Sequence, residues 1–418
     1  MAATPPGSAA TAVSEERLWR RHMEMAKIGA TPGGGCDRPA LSPADAEARS
    51  LFIGWARERG FDCSTDAIGN LFVRRPGRDS DAAPVMTGSH LDTQPKGGRF
   101  DGIFGCLAGL EVLEAVADAG LKTRRSLDAV VWTNEEGSRF VPGCLGSECF
   151  VHPARLDARL AVRDTDGIAL ADALDAVRAA MPPLSPRALG RPVAAFVEAH
   201  IEQGPILEAE GRTIGVVTAI AGARRFCVEV VGEPAHSGTT PRARRKDAFV
   251  AMVRMANALH QMFHDPADEV RFTIGRLLVE PNSPFVVPAR VTFFIDFRSP
   301  EQEVLDRLGP EVERLCRENA GPCAVTVTEI KKAPVRCCAS EVPEAVERAA
   351  ERLGYSHRRM VSGAGHDTRN VIGYCPAGMI FVPCERGISH AETENAKPSD
   401  LAAGARVLAA VMVEFADR

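Results

Sequence analysis

The chain has 418 residues, 45% of them hydrophobic and 25% charged, with a formal net charge of -5. That length exceeds one ordinary compact core, and the composition is not the apolar-poor one of a disordered chain. The charge balance supplies no basic field for nucleic acid or an anionic membrane, and no apolar run approaches the roughly 18 residues of a membrane span.

In chain order, Met1 to Val13 is rich in Ala, Pro, Gly and Ser, with no basic stretch followed by an apolar one. It reads as a disordered leader and not as a secretory signal. Glu15 to Ile28 and Pro43 to Arg59 carry helical spacing, the second opened by Ser42 as N-cap and Pro43 at the first position. Between them, Gly29 to Gly35 is a flexible loop. Val85-Met86-Thr87 is a buried strand before a polar turn, Ile103 to Ala119 has a helical period, and Ala129 to Trp132 is a second buried strand. This alternation predicts an α/β sheet, mainly parallel, with helices on both faces.

Around residue 222 the pattern changes. Strands at Arg225 to Val231, Val270 to Leu278, Ala289 to Phe297 and Ala324 to Ile330 enclose helices at Lys246 to Phe263 and Glu301 to Asn319. The order β-α-β-β-α-β is that of a ferredoxin-like α+β sandwich. The basic run Arg242-Ala243-Arg244-Arg245-Lys246 reads as a solvated helix start. From about residue 335 the α/β pattern returns and ends on an apolar helix, Asp400 to Phe415. The expected organisation is therefore a catalytic α/β domain over 1–221 and 335–418 with a smaller domain, 222–334, inserted into it. Twelve cysteines without a CxxC pair suit reduced thiols and a cytoplasmic location. The adjacent Cys337-Cys338 suits neither a zinc site nor an easy disulfide.

The residues suited to chemistry follow buried strands. His90 and Asp92, in Thr87-Gly88-Ser89-His90-Leu91-Asp92-Thr93, leave the carboxyl end of a strand, where open α/β sheets place ligands. A carboxylate beside an imidazole commonly fixes the tautomer of a metal-ligating histidine. Asp101 stands in a glycine-rich turn before a helix, where it could ligate a metal or simply cap the helix. Glu135 and Glu136 leave the second buried strand. Two adjacent carboxylates there are costly unless something uses their charge, and they project differently, so one can bind a metal while the other holds a water. His200 and His390 complete the set. Imidazoles with carboxylates suit zinc, manganese, cobalt or nickel, whereas calcium prefers oxygen alone. A bridging Asp, with further His and carboxylate ligands on each of two ions, would account for the combination.

In GSHLDTQPKGGRFDG, TNEEGSRF, HIEQGPILE, AHSGTTP, SGAGHD and GISH, and from Met25-Ala26-Lys27-Ile28-Gly29 to Ser389-His390, the chain resembles the hydantoinase/carbamoylase branch of the M20 metallopeptidase family. That branch includes L-carbamoylases, β-ureidopropionases and allantoate amidohydrolases. The resemblance implies two divalent metal ions held by His90, Asp101, Glu136, His200 and His390, with Asp101 bridging. It implies Glu135 as general base and Asp92 as the partner orienting His90. His236 would stabilise the oxyanion in the neighbouring subunit of a homodimer, the inserted domain serving as lid and dimerisation domain. Gln203 and His366 would line the substrate pocket, and Arg298 would pair with a substrate carboxylate.

One position departs from the pattern. Relatives commonly place Asn before the Val-Val-Pro step, but here Phe285 precedes Val286-Val287-Pro288, and Asn282 nearby is the candidate substitute. The expected reaction is hydrolysis of the ureido C–N bond of an N-carbamoyl-L-amino acid or N-carbamoyl-β-alanine. An allantoate amidohydrolase and an M20-type aminopeptidase or dipeptidase are the other readings.

Overall fold

The structure, a computed structural model, describes residues 7–418. The chain divides into two compact units, one of Met1–Thr218 with Cys337–Arg418, the other Ala219–Arg336.

The first unit is built on a large mixed sheet. Along it run Ile214–Ile220, Ala377–Val382, Ala195–Ile201, Val85–His90, Leu127–Trp132, Leu71–Arg75 and Asp62–Thr65 as successive neighbours. The four strands from Ala377–Val382 to Leu127–Trp132 are mutually parallel. Ile214–Ile220 and Leu71–Arg75 flank them antiparallel. Ala195–Ile201, Val85–His90 and Leu127–Trp132 are buried at every residue, the signature of strands covered on both faces. Helices Ile103–Asp118 and Pro398–Asp417 pack against each other and against this sheet, their Leu, Val and Ala side chains forming one continuous core.

Local chemistry explains several boundaries. Ser42 accepts the Asp45 N–H at 3.2 Å, so Pro43–Glu58 starts where a capped helix should. The expected loop from Gly29 is a closed turn, with Thr31 N–H donating to the Gly35 carbonyl at 3.1 Å and Gly34 N–H to that of Thr31 at 3.0 Å. The disordered leader requires correction. Its first six residues lie outside those described, but Gly7–Ala12 is a helix with Ala9 and Ala10 fully buried. It packs on Pro398–Asp417 and Ile103–Asp118, because alanine is the best helix former and its single methyl allows close approach.

The second unit has a four-stranded antiparallel sheet in the order Arg271–Glu280, Arg290–Ser299, Gly222–Val231, Ala324–Ala333. Helices Ala248–Met262 and Gln302–Glu318 lie on one face, and the unit has its own core around Val228, Phe293, Ile295 and Phe297. Strict alternation along Arg290–Ser299 turns Phe293, Ile295 and Phe297 to that core and leaves Phe294, Asp296 and Arg298 on the other face. A two-residue ribbon pairs Ala235–His236 with Val286–Val287.

Candidate metal centre

The parallel strands deliver the candidate ligands together at their carboxyl ends. His90 ends its strand in register with Trp132, three residues before Glu135, and His200 stands opposite Phe381. Among the described residues three groups of possible ligands form: His90, Asp101 and His200; Asp101, Glu136 and His390; and Glu198, His200 and His366, so that Asp101 is shared by the first two. Asp101 Oδ1 is 3.1 Å from His200 Nε2 and 3.6 Å from His90 Nε2. Its Oδ2 is 3.0 Å from His390 Nε2, which in turn is 3.6 Å from Glu136 Oε2.

Asp101 does not cap the helix that follows. Gly102 is the N-cap, with φ 70° and no side-chain cap bond. A Cβ at Gly102 would also lie 2.3 Å from the His90 ring, so only glycine admits the close approach. The Asp101 carboxylate instead accepts from Gln203 Nε2 at 2.7 Å and Ser389 Oγ at 3.1 Å. Burial pushes this carboxyl up, but hydrogen bonds from His200 and His390 and the charges of His200 and His90 prevail and hold it well below its usual range.

The imidazoles are set by their far nitrogens. His90 Nδ1 meets the Asp92 carbonyl at 2.8 Å and His200 Nδ1 the Ile201 carbonyl at 2.8 Å, so both carry the proton on Nδ1 in the neutral form. Each then presents an Nε2 lone pair toward carboxylate oxygens. Lone pairs facing one another at 3.1 to 3.6 Å repel unless a positive charge lies between them. The donor set therefore fits divalent cations. The Gly102 N–H, 3.2 Å from His200 Nε2, relieves that nitrogen only partly. Burial lowers His200, but the hydrogen bond and charge of Asp101, with the charge of Glu198 and the Ile201 carbonyl, outweigh it and raise the imidazole to about 9.

The group orienting His90 is the carbonyl of Asp92, not its carboxylate, which is 3.9 Å from Nδ1. The strand ends at His90, so Asp92 has left it. Its carboxylate turns to accept the Glu135 and Glu136 amides at 3.3 and 3.2 Å, tying the two ligand-bearing loops together. The adjacent glutamates do diverge. Glu135 Oε2 faces His90 Nε2 at 3.6 Å, while Glu136 is held by the backbone amide and side chain of Gln94 at 3.0 and 2.8 Å. Burial, then the charges of Asp367, Glu136 and Asp92, push Glu135 well above its ordinary value.

His366 lies behind the centre, 4.6 Å from the His200 ring, with Nε2 on Ser362 Oγ at 2.9 Å. Gln203 points at Asp101, and its Oε1 is buried without a partner. His236, Asn282 and Arg298 belong to the second unit. His236 is exposed, and its Nδ1 accepts the Gly238 and Thr239 amides at 3.0 and 3.1 Å. Asn282 is exposed at φ 35°. Arg298 Nε donates to Asp296 at 3.0 Å.

Three supporting residues carried no sequence signal strong enough to select them. Buried Glu394 accepts the Phe100 and Asp101 amides at 2.8 and 3.1 Å and the Ser389 hydroxyl at 2.8 Å. Glu198 accepts from Ser89 and Thr368 beside His200. Cys144 Sγ lies 3.2 Å from Glu135 Oε1, and burial, then the neighbouring carboxylates, raise the thiol so that it keeps its proton. Glu394 stands four residues after His390 and was the most accessible to pattern reading.

The model of peptidase family M20/M25/M40 matches residues 86–414, which contain every one of these candidate ligands. The chain belongs to this family. Within M20 it falls in the hydantoinase/carbamoylase branch. An amidase of the hydantoinase/carbamoylase family from Burkholderia multivorans has a solved structure with TM-score 0.89 at 43% identity, covering 97% of this chain and 98% of that one. An N-carbamoyl-L-amino-acid amidohydrolase of Rhizobium meliloti is 40% identical, over 97% of each chain. An allantoate amidohydrolase of Escherichia coli is 33% identical, over 97% of this chain and 98% of its own.

Proposed function

We propose that this M20 protein is a metal-dependent amidohydrolase that cleaves the ureido C–N bond of an N-carbamoyl-L-amino acid or N-carbamoyl-β-alanine, releasing the amino acid, ammonia and carbon dioxide. The observation that carries this reading is the pair of ligand groups sharing Asp101, with Glu135 beside them but in neither. His90, Asp101 and His200 would hold one ion and Asp101, Glu136 and His390 a second, with zinc, manganese, cobalt and nickel all suited to the donors. Bound cations would polarise the substrate carbonyl and acidify a water.

The remaining work falls to the chain. Glu135 takes a proton from the attacking water and returns it to the leaving nitrogen; the carbamate released then falls to ammonia and carbon dioxide. His236 donates to the developing oxyanion. Its Nδ1 is occupied as an acceptor of two amides, so the ring proton resides on Nε2, an exposed donor. Arg298 pairs with the substrate carboxylate through two parallel hydrogen bonds. Gln203 and His366 line the pocket, and Asn282 supplies polar contacts that Phe285 does not.

The working form in this reading is a homodimer in which His236 serves the partner's site. Phe249, Val250 and Val253 stand exposed on one face of Ala248–Met262, and Leu277 and Leu278 are exposed on the edge strand Arg271–Glu280. Apolar groups and an open strand edge of this kind call for a covering surface. Among the described residues no helix is long and apolar enough to cross a membrane, and the twelve cysteines are free, which suits a cytoplasmic enzyme with a small-molecule substrate.

The deciding experiment is ammonia release by purified protein supplied in turn with zinc, manganese, cobalt or nickel. Preferential turnover of N-carbamoyl-L-amino acids or N-carbamoyl-β-alanine is expected. Turnover of allantoate alone would move the enzyme to the chemistry named for its Escherichia coli relative, and cleavage of dipeptides without ammonia would make it a peptidase.

A further inference from the structure

The two oxygens of Glu135 have different neighbours. Oε2 faces His90 Nε2 at 3.6 Å, whereas Oε1 lies 3.2 Å from Cys144 Sγ. We propose that Cys144 is the positioning residue of the general base: its thiol proton holds Oε1 and leaves Oε2 directed at the reacting water. The inference rests on Glu135 being the base and adds the residue that aims it.

The thiol is fixed on several sides. Cys144 N–H donates to the Glu135 carbonyl at 2.9 Å, Leu145 N–H to that of Asn134 at 3.3 Å and Gly146 N–H to that of Thr133 at 2.8 Å. These bonds dock the start of helix Leu145–Val151 against the exit of strand Leu127–Trp132. Cys144 itself takes φ 58° and ψ 31°, an uncommon conformation for a residue other than glycine, at the turn into the helix. Its carbonyl accepts Asn370 Nδ2 at 3.2 Å and the Ser147 hydroxyl at 3.2 Å, and Asn370 Nδ2 also reaches Ser147 Oγ at 2.9 Å. A second chain segment thereby braces the position of Sγ.

The donor type suits the task. Glu135 must give and take a proton on one oxygen without the carboxylate rotating. A guanidinium or ammonium on Oε1 would steady it but also strip its basicity by direct charge. A neutral S–H is a weak donor, strong enough to select a rotamer and too weak to quench the base.

The test compares metal-loaded wild type with Cys144→Ala, Cys144→Ser, Glu135→Gln and the double variant Cys144→Ala/Glu135→Gln. Expected is a fall in kcat of about tenfold for Cys144→Ala, with KM and bound metal unchanged. Cys144→Ser, which keeps a hydrogen-bond donor, should return kcat to within about threefold of wild type. In the Glu135→Gln background, Cys144→Ala should lower the residual rate no further, because the two residues act through one group. Wild-type kcat in Cys144→Ala would overturn the proposal. So would equal losses in Cys144→Ala and Cys144→Ser, which would make the position one of packing alone. Full turnover by Glu135→Gln would instead remove the base itself, and the positioning role with it.

Discussion

In the unit built on the large mixed sheet, the candidate ligand and catalytic residues are mostly buried and already paired; in the ferredoxin-like unit the candidate site residues are exposed or half-buried. His90, Asp101, Glu135 and His200 are all nearly inaccessible, and each has a hydrogen-bond or ionic partner. His236 and Asn282 are exposed, and Arg298 is half-buried. Burying carboxylates and imidazoles costs free energy that only a complete set of partners, or a cation, offsets. The first arrangement must therefore be specified throughout by the fold, down to the glycine that makes room for an imidazole. The second costs little to alter: Phe285, next to its ribbon, is 73% exposed.

The comparison breaks most decisively at Asp101. Asp101→Ala should remove both ion sites at once and lower turnover by at least about a thousandfold, the range of a lost metal function. Metal analysis should find well under one ion per chain, and an unchanged metal-to-protein ratio would end the shared-ligand reading. Glu135→Gln should cost about a hundred- to ten-thousandfold in kcat with metal content intact, since the base is not a ligand. Activity and metal content falling together would make Glu135 a ligand instead.

On the exposed side, His236→Ala should cost about a hundred- to a thousandfold in kcat, as for the loss of one oxyanion donor. Subunits carrying His236→Ala mixed with subunits carrying Glu135→Gln should regain activity if the histidine serves the partner's centre. Proven subunit exchange without recovery would confine it to its own chain.

The smallest effect concerns stability. His22 is fully buried against Phe100 and Phe104, at 5.3 and 6.1 Å between ring centroids, and burial, helped by Arg99, lowers it from 6.5 to about 3. The unfolded chain takes up this proton near pH 6.5 and the folded chain only near 3. The protonation of His22 thus takes nothing from stability above pH 6.5, and stability falls as the pH drops from there toward 3, by about 1.4 kcal/mol per unit. His22→Phe should flatten that part of the profile. Urea unfolding at pH 7 and pH 5 would show it, and an unchanged slope would assign the acid sensitivity elsewhere.

Much of this organisation was legible in the residues themselves. The apolar runs at Val85 and Ala129 mark strands because β-rich, doubly covered segments need no polar alternation, and the Ser42-Pro43 pair marks a helix start because both residues act locally. The roles of Asp92 and Gln203 were not legible in the same way. Both depend on where a loop turns after its strand ends, which spacing does not encode: Asp92 presents a carbonyl where its carboxylate was expected, and Gln203 reaches Asp101. Glu394 escaped for a related reason. Its value comes from amides 294 and 293 residues away in sequence, at Phe100 and Asp101. The helix at Gly7–Ala12 looked like a leader because its apolar side chains are all small, and only the helix it covers shows that they are buried.

The spread of the ligands along the chain also sets a timetable. His90 and His390 stand 300 residues apart, and the helix Pro398–Asp417, which packs on Ile103–Asp118, is made later still. At about 5–20 residues per second of synthesis, His90 waits at least about 15 seconds for the final imidazole. Throughout that interval Asp101 lacks His390 and Ser389, and Ile103–Asp118 lacks its packing against Pro398–Asp417. The full set of candidate ligands therefore exists only once the chain has been made through His390.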